Sequence, residues 1–309
     1  MEINKIYHGN CMDVIKTFPD KSIDCVITSP PYWQLRDYKW NGQWGLEPTF
    51  QLYLEHLWSL MDEVYRVLKD TGTVWINLGD TYNGNKRGNN DPKLNGAIKE
   101  NSKVLKLKGS EPDKCLLLIP HRFAIGCIDR GWIIRNDIIW AKRNGMPESV
   151  TDRFSKKKEY IFFMAKEDGY YFDIDGIRDK LKNPISVRNK ASEVYGRGSG
   201  SEQFSKGFRV GGDEEKGRNP GDVSDFWDIN TKPNKDEHFA SYNTKLIDKP
   251  IMSGCPKGGI ILDPFCGTAT TGCRAIDLQR KFIGIEGKEE YVKIGNKKLL
   301  PFQITQQLF

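Results

Sequence analysis

The chain has 309 residues, enough to bury one substantial core with or without a smaller lobe, so a lone peptide-binding module is excluded. Hydrophobic residues make up 38% and charged residues 28%; no stretch approaches the roughly 20 consecutive apolar residues of a membrane span, and Met1-Glu2-Ile3-Asn4-Lys5 lacks the basic start and apolar run of a signal peptide, so a soluble, cytoplasmic protein is expected. The 47 Lys and Arg against 41 Asp and Glu leave a net charge of +6, too mild to indicate nucleic acid by itself, and the seven cysteines, without a C-x-x-C pair, indicate neither a disulfide framework nor a zinc site.

In chain order, Ile23 to Ile27 reads as a short buried strand that runs into Thr28-Ser29-Pro30-Pro31-Tyr32-Trp33, where two prolines forbid further ladder pairing. Phe50, Leu54, Leu57, Trp58, Met61, Val64, Tyr65 and Leu68 recur at helical spacing, and Asp70-Thr71-Gly72 supplies a stop signal. A second strand is expected over 73–78. Strand, helix, strand is the grammar of a mostly parallel sheet with helices packed on it. Residues 83–114 are polar and basic, too long for an ordinary connection, and are expected to form a mobile functional loop.

Core signals return with a helix from Pro120 to Arg130 and strand-like runs at Trp132–Trp140, Tyr160–Ala165 and Tyr170–Phe172. From about Gly176 to Asp225 glycines are spread among charges, which suggests an irregular insert. The remainder is again α/β: a strand over 259–263, a helix from about Thr268 to Leu278, a strand over 282–285 and a final helix over 289–299. The organisation expected is therefore 1–175, an irregular region over 176–225, and 226–309 completing the domain begun by the first segment.

Two motifs carry chemistry. The strand ending in Asp263 passes through Pro264-Phe265-Cys266-Gly267-Thr268-Ala269-Thr270-Thr271 into a helix, and small residues at such a turn let a ligand approach backbone N–H groups. The next strand ends at Glu286, whose carboxylate suits both hydroxyls of a ribose. With neither a full G-x-G-x-x-G nor a P-loop lysine, a nucleoside without pyrophosphate fits better than a dinucleotide or a nucleoside triphosphate. In the second motif, Pro30 and Pro31 stiffen the backbone so that the Ser29 hydroxyl and the Pro30 carbonyl are held as acceptors, while Tyr32 offers a flat face. An aromatic amine is a poor nucleophile because its lone pair is delocalised. Acceptors aimed at its N–H groups would favour pyramidalisation and stabilise the positive charge that develops during attack.

Together these motifs resemble the amino-group DNA methyltransferases, whose catalytic tetrapeptide is Ser/Asp/Asn-Pro-Pro-Tyr/Phe/Trp and whose cofactor motif is Phe-x-Gly-x-Gly. The catalytic motif comes first, an order similar to that of the β group, in which target recognition lies between the two. The resemblance implies a Rossmann-like methyltransferase sheet, S-adenosylmethionine as cofactor and no metal. It implies a catalytic set of Ser29, Pro30, Pro31 and Tyr32 and a cofactor set of Asn10, His238, Ala240, Asp263, Phe265, Gly267, Thr268, Thr270 and Glu286. The stretch from Ile134 to Lys142 followed by Met146-Pro147-Glu148-Ser149 is similar to a family segment beside the target-base pocket.

Two positions depart from the family pattern. Ala269 replaces the second glycine, acceptable only with a negative φ, and Asn10 replaces the usual aspartate, which keeps an acceptor but removes a charge. A serine at the first catalytic position goes with N4 of cytosine more than with N6 of adenine, so site-specific N4 methylation of a flipped cytosine in double-stranded DNA is the expected activity, within a restriction-modification system. N6-adenine methylation and a non-catalytic DNA-binding protein on the same fold are the alternatives. The first predicts Asp rather than Ser, the second damage to one motif. C5 methylation of cytosine would need a nucleophilic cysteine after a proline, and no Pro-Cys dipeptide occurs. Asp80 is read as an ordinary loop carboxylate rather than a proton acceptor. Phosphate contacts are expected from Arg36, Lys103, Lys106, Lys108, Lys142 and Arg143, and the expected partners are duplex DNA and a cognate endonuclease, with the protein a monomer or homodimer in a prokaryotic cell or phage.

Overall fold

A computed structural model describes residues 1–84, 111–178, 223–231 and 243–306. The basic segment with Lys103, Lys106 and Lys108, most of 176–225, and His238 and Ala240 lie outside them. The chain forms two compact units, Met1–Phe172 with Asp225–Phe309, and Asp173–Ser224. Of the second, one short 3-10 turn, Asp175–Ile177, is described.

In the first unit, eight strands form one sheet: β1 (Lys5–His8), β2 (Ile23–Thr28), β3 (Leu68–Leu78), β4 (Ile133–Ala141), β5 (Lys158–Ala165), β6 (Phe226–Asp228), β7 (Ile260–Asp263) and β8 (Lys281–Glu286), in the order β1-β8-β7-β2-β3-β5-β4-β6. β5 pairs antiparallel with both neighbours and every other pairing is parallel. This is the mostly parallel Rossmann-like sheet that the sequence implies.

Alternation along the strands serves two cores. Val26, Val74, Ile76 and Phe162 face one, with α1 (Cys11–Ile15), α2 (Phe50–Val67) and α3 (Ile119–Ile128). Cys25, Ile27, Trp75 and Phe163 face the other, with α4 (Thr244–Gly254), α5 (Thr270–Asp277) and α6 (Glu289–Gln306). Helices thus cover both faces, as a parallel sheet requires.

The structure departs from the sequence reading at several elements. Asp70-Thr71-Gly72 does not form a turn after α2: Leu68 is already extended, and β3 begins there, its pairing with β2 slipping between Ile23 and Cys25. Gly72 is needed at this kink because a Cβ would meet the Leu68 side chain at 2.5 Å. Tyr170–Phe172 is not a strand. Tyr170 and Phe172 instead pack against Phe163 at ring separations of 5.5 and 5.3 Å, so these aromatics cover the sheet rather than extend it. Neither β1 nor β6 is expected from the sequence, each being too short to show a period.

Candidate active site

In an open α/β sheet ligands bind outside the carboxyl ends of the strands. Here that edge brings together, in sheet order, Asn10 after β1, Glu286 ending β8, Asp263 ending β7, Ser29 to Tyr32 after β2, Asn77 near the end of β3, Glu159 at the start of β5 and Lys142 after β4. Glu159 reaches this edge because β5 is reversed, so its beginning, not its end, lies there. All of them line one cavity of about 350 Å³, as do Arg36, Phe265, Gly267, Thr268 and Thr270.

Asp263 is a brace. Its carboxylate, in a residue 2% exposed, accepts from Thr28 Oγ1 at 2.7 Å, Thr271 Oγ1 at 2.6 Å and the Phe265 N–H at 3.1 Å, tying β2, α5 and the intervening turn together. Glu286 accepts one backbone N–H on each oxygen, from Gly267 at 2.9 Å and Lys288 at 2.8 Å. A carboxylate has about four acceptor positions, so both oxygens retain capacity for a ligand. Burial raises the Glu286 carboxyl above its ordinary value, opposed by the backbone N–H groups of Lys288, Gly267 and Gly287. Asn10 caps α1, its Oδ1 accepting from the Met12 N–H at 2.9 Å.

The expectation of a negative φ at Ala269 is overturned. It takes φ 64° and ψ 33°, left-handed, as the residue that opens α5. For an alanine this costs roughly 1–2 kcal/mol, offset in part by its fully buried methyl, worth about 0.8 kcal/mol. Gly267 also has a positive φ of 52°, and a Cβ there would meet nothing within 4 Å, so the turn presents bare backbone to open space.

Side chains invisible to motif reading complete the cavity. The loop between β2 and α2 folds back on the Ser29–Tyr32 tetrapeptide: Gln34 N–H donates to the Gly45 carbonyl at 2.6 Å, and a Cβ on Gly45 would lie 2.9 Å from the Tyr32 carbonyl. This loop sets Trp44 against Phe265 at 5.3 Å and Trp40 so close over Gly287 that a Cβ there would be 2.4 Å from the ring. Gln43 lines the cavity with a buried Nε2 that has no hydrogen-bond partner among the described residues. An unused donor, the Glu286 acceptors, aromatic faces and an exposed backbone turn fit a nucleoside. Their signal in sequence is weak, since Trp40, Gln43 and Trp44 sit in a loop with no periodicity.

The tetrapeptide is held from below. Tyr53 of α2 donates to the Pro31 carbonyl at 2.8 Å, and the Tyr32 ring lies against Gly79, where a Cβ would be 2.6 Å away. Tyr32 Oη donates toward Glu159 Oε2 at 2.7 Å and Asn77 Oδ1 at 3.0 Å, and receives a long bond from Ser29 Oγ at 3.5 Å. Burial, reinforced by the Glu159 carboxylate, pushes the phenol well above its ordinary range, so it stays protonated.

The basic residues divide. Lys142, expected on a phosphate, is ion-paired with Glu159 inside the cavity, because the β4 and β5 ends converge there. Arg143 is largely exposed and pairs with Asp228 at 2.5 Å. Arg36 lies exposed at the cavity and interacts with Tyr38. Asp80 is not in the cavity lining; its Oδ1 accepts from the N–H groups of Thr81 and Ile119 at 2.9 and 3.1 Å.

Known proteins resemble the chain in sequence and in fold. The type II methyltransferase M.Cfr9I of Citrobacter freundii is 33% identical over 305 residues, covering 97% of this chain and 89% of its own. M.XycI of Xanthomonas campestris pv. cyanopsidis is 35% identical over 295 residues, covering 95% and 87%. Among solved structures, the PvuII DNA methyltransferase (cytosine-N4-specific) has a TM-score of 0.61 at 17% identity, covering 96% of this chain and 90% of that one. A putative DNA modification methylase of Thermus thermophilus, complexed with S-adenosyl-L-methionine, has a TM-score of 0.59 at 21% identity, covering 96% and 93%. Residues 23–297 match the DNA methylase family of N6- and N4-methyltransferases, and the chain belongs to that family.

Proposed function

We propose that this protein is a type II modification enzyme that transfers the methyl group of S-adenosylmethionine to N4 of cytosine within a specific sequence of double-stranded DNA. Supporting DNA methylation at large are the family match and the type II methyltransferases that resemble the chain over nearly its whole length. The observation that carries the choice of base is Ser29 in the first position of the tetrapeptide, at the middle of the cavity edge.

S-adenosylmethionine supplies an electrophilic methyl group on sulfonium. The chain's part is to bind and orient. Glu286 accepts from ribose hydroxyls, Gln43 donates its free N–H to the nucleoside, and the turn at Gly267 leaves room for close approach. On the other side of the tetrapeptide, a base turned out of the duplex enters with its amine toward Ser29 Oγ and the Pro30 carbonyl. These acceptors take its N–H groups and bias the nitrogen lone pair toward the methyl. Such an enzyme is paired with an endonuclease of the same specificity.

The test is to incubate unmethylated DNA with the protein and S-adenosylmethionine, map modified positions by single-molecule sequencing, and identify the product by nucleoside mass spectrometry. N4-methylcytosine at one recurrent sequence is expected. N6-methyladenine as sole product overturns the choice of base, and unmodified DNA overturns the substrate.

A further inference from the structure

We infer that Glu159 is the terminal acceptor for the proton that leaves the target amine, reached through the hydroxyls of Ser29 and Tyr32 and held in place by Lys142. The inference rests on the DNA-methylation reading above and extends it to a residue outside the tetrapeptide.

The directions of the hydrogen bonds carry it. Asn77 Nδ2 donates to the Tyr160 carbonyl at 3.1 Å, which leaves Asn77 Oδ1 facing Tyr32. The single phenolic proton is therefore directed at two acceptors, Asn77 Oδ1 at 3.0 Å and Glu159 Oε2 at 2.7 Å, the latter nearer and charged. The lone pairs of Tyr32 Oη are then free to accept the Ser29 proton across 3.5 Å. With its proton spent on Tyr32, Ser29 turns its own lone pairs to the cavity, where the amine arrives. The Ser29–Tyr32 link is long, as catalytic hydrogen bonds often are before substrate closes the site.

Lys142 and Glu159 are only 20% and 15% exposed, so both charges are largely withdrawn from water, an arrangement that contributes little to stability by itself. Asp80 is a poor rival, because its Oδ1 is occupied by two backbone N–H groups and it stands outside the cavity lining.

The step balances. After methyl transfer the exocyclic nitrogen carries the methyl, two hydrogens and a positive charge. One N–H bond breaks and its electron pair returns to the ring. That proton bonds to Ser29 Oγ as the Ser29 proton passes to Tyr32 Oη and the Tyr32 proton passes to Glu159 Oε2. Both hydroxyls end as they began, the base is neutral, and the carboxylate has become a carboxylic acid that returns its proton to solvent. The exocyclic ammonium of an electron-poor ring such as cytosine is far more acidic than a carboxylic acid, so an ion-paired carboxylate is basic enough.

The test uses the full chain on its mapped recognition duplex under single-turnover conditions, with cofactor binding followed by tryptophan fluorescence and DNA binding by gel shift. Glu159→Gln keeps the shape and an acceptor for Tyr32 but cannot take the proton; a combined Lys142→Met, Glu159→Gln variant avoids an unpaired lysine if the single variant folds poorly. We expect the transfer rate to fall on the order of 10²-fold with both dissociation constants nearly unchanged. The titratable groups against Glu159 among the described residues are Tyr32 and Lys142. In either variant the residual rate should climb with pH more steeply than the wild-type rate does, as hydroxide replaces the missing acceptor. A wild-type rate in both variants overturns the inference, as does a lowered rate with the wild-type pH profile, which marks a purely structural role. Absence of methylated DNA with the wild-type protein would instead fail the underlying reading, before any variant is made.

Discussion

The half-buried carboxylate of Glu286 would make the proposed cofactor binding depend on pH. Desolvation raises its folded-state pKa above 4.5, and the N–H groups of Lys288, Gly267 and Gly287 oppose the shift. For a group raised in this way, the stability it contributes is fully present below the unfolded pKa and is lost as pH rises through the folded value. The ionised form is thus the less comfortable one in the folded protein, yet it is the form that the proposed contact with ribose hydroxyls requires. Cofactor affinity is expected to weaken on acidification at a pH above the ordinary glutamate range, while the same protonation favours the free protein. Calorimetric titration of S-adenosylmethionine from about pH 7.5 to 5 checks this, with Glu286→Gln as the control expected to bind more weakly but with a flatter pH dependence. Parallel loss in both proteins would remove Glu286 from the ribose contact.

At the level of elements, the start of α3 explains what Asp80 does. Leu118, preceding the helix, is left-handed at φ 53° and has no side-chain cap, so the first N–H groups of α3 lack a local acceptor. Asp80 Oδ1, arriving from the end of β3, takes the Ile119 N–H, and the Asp80 carbonyl accepts Lys156 Nζ from the β4–β5 loop at 3.0 Å. This is a helix cap supplied from a distant strand. Asp80→Ala should lower unfolding stability by about 1 kcal/mol, within the usual range for a lost cap. Asp80→Asn, which keeps the oxygen, should cost less and retain methyl transfer. Urea unfolding and the methylation assay together check it, and loss of activity without loss of stability in Asp80→Asn would return Asp80 to the chemistry.

For the whole molecule, the two cores dispose of most of the cysteines. Cys11, Cys25, Cys127, Cys255 and Cys266 are buried, and burial pushes the Cys11 and Cys255 thiols up to about 12 and those of Cys25 and Cys266 well above their ordinary value. Thiolate is the reactive form. A thiol reagent at mildly alkaline pH should label Cys115 and Cys273 slowly in the native protein and all seven cysteines after denaturation. Rapid labelling of Cys266 would show that the cofactor turn opens in solution.

The sequence by itself determined the fold class, the strand and helix leading into each motif, and the two motifs themselves, because each rests on local rules: helical spacing in α2, prolines ending β2, small residues between β7 and α5. It placed the turn after α2 too late, since only pairing of Leu68 with Ile23 draws that segment into the sheet. It expected Lys142 on a phosphate, where the structure pairs it with Glu159, and did not find Glu159, Asn77 or Gln43. Nothing near them in sequence marks these residues. Asn77 and Glu159 meet Tyr32 only because β3 and β5 run antiparallel side by side, and Gln43 faces the cavity only because its loop folds back toward β7 and β8. Tertiary structure thus decided the surroundings of the tetrapeptide, where contact depends on strand order and direction rather than on separation along the chain.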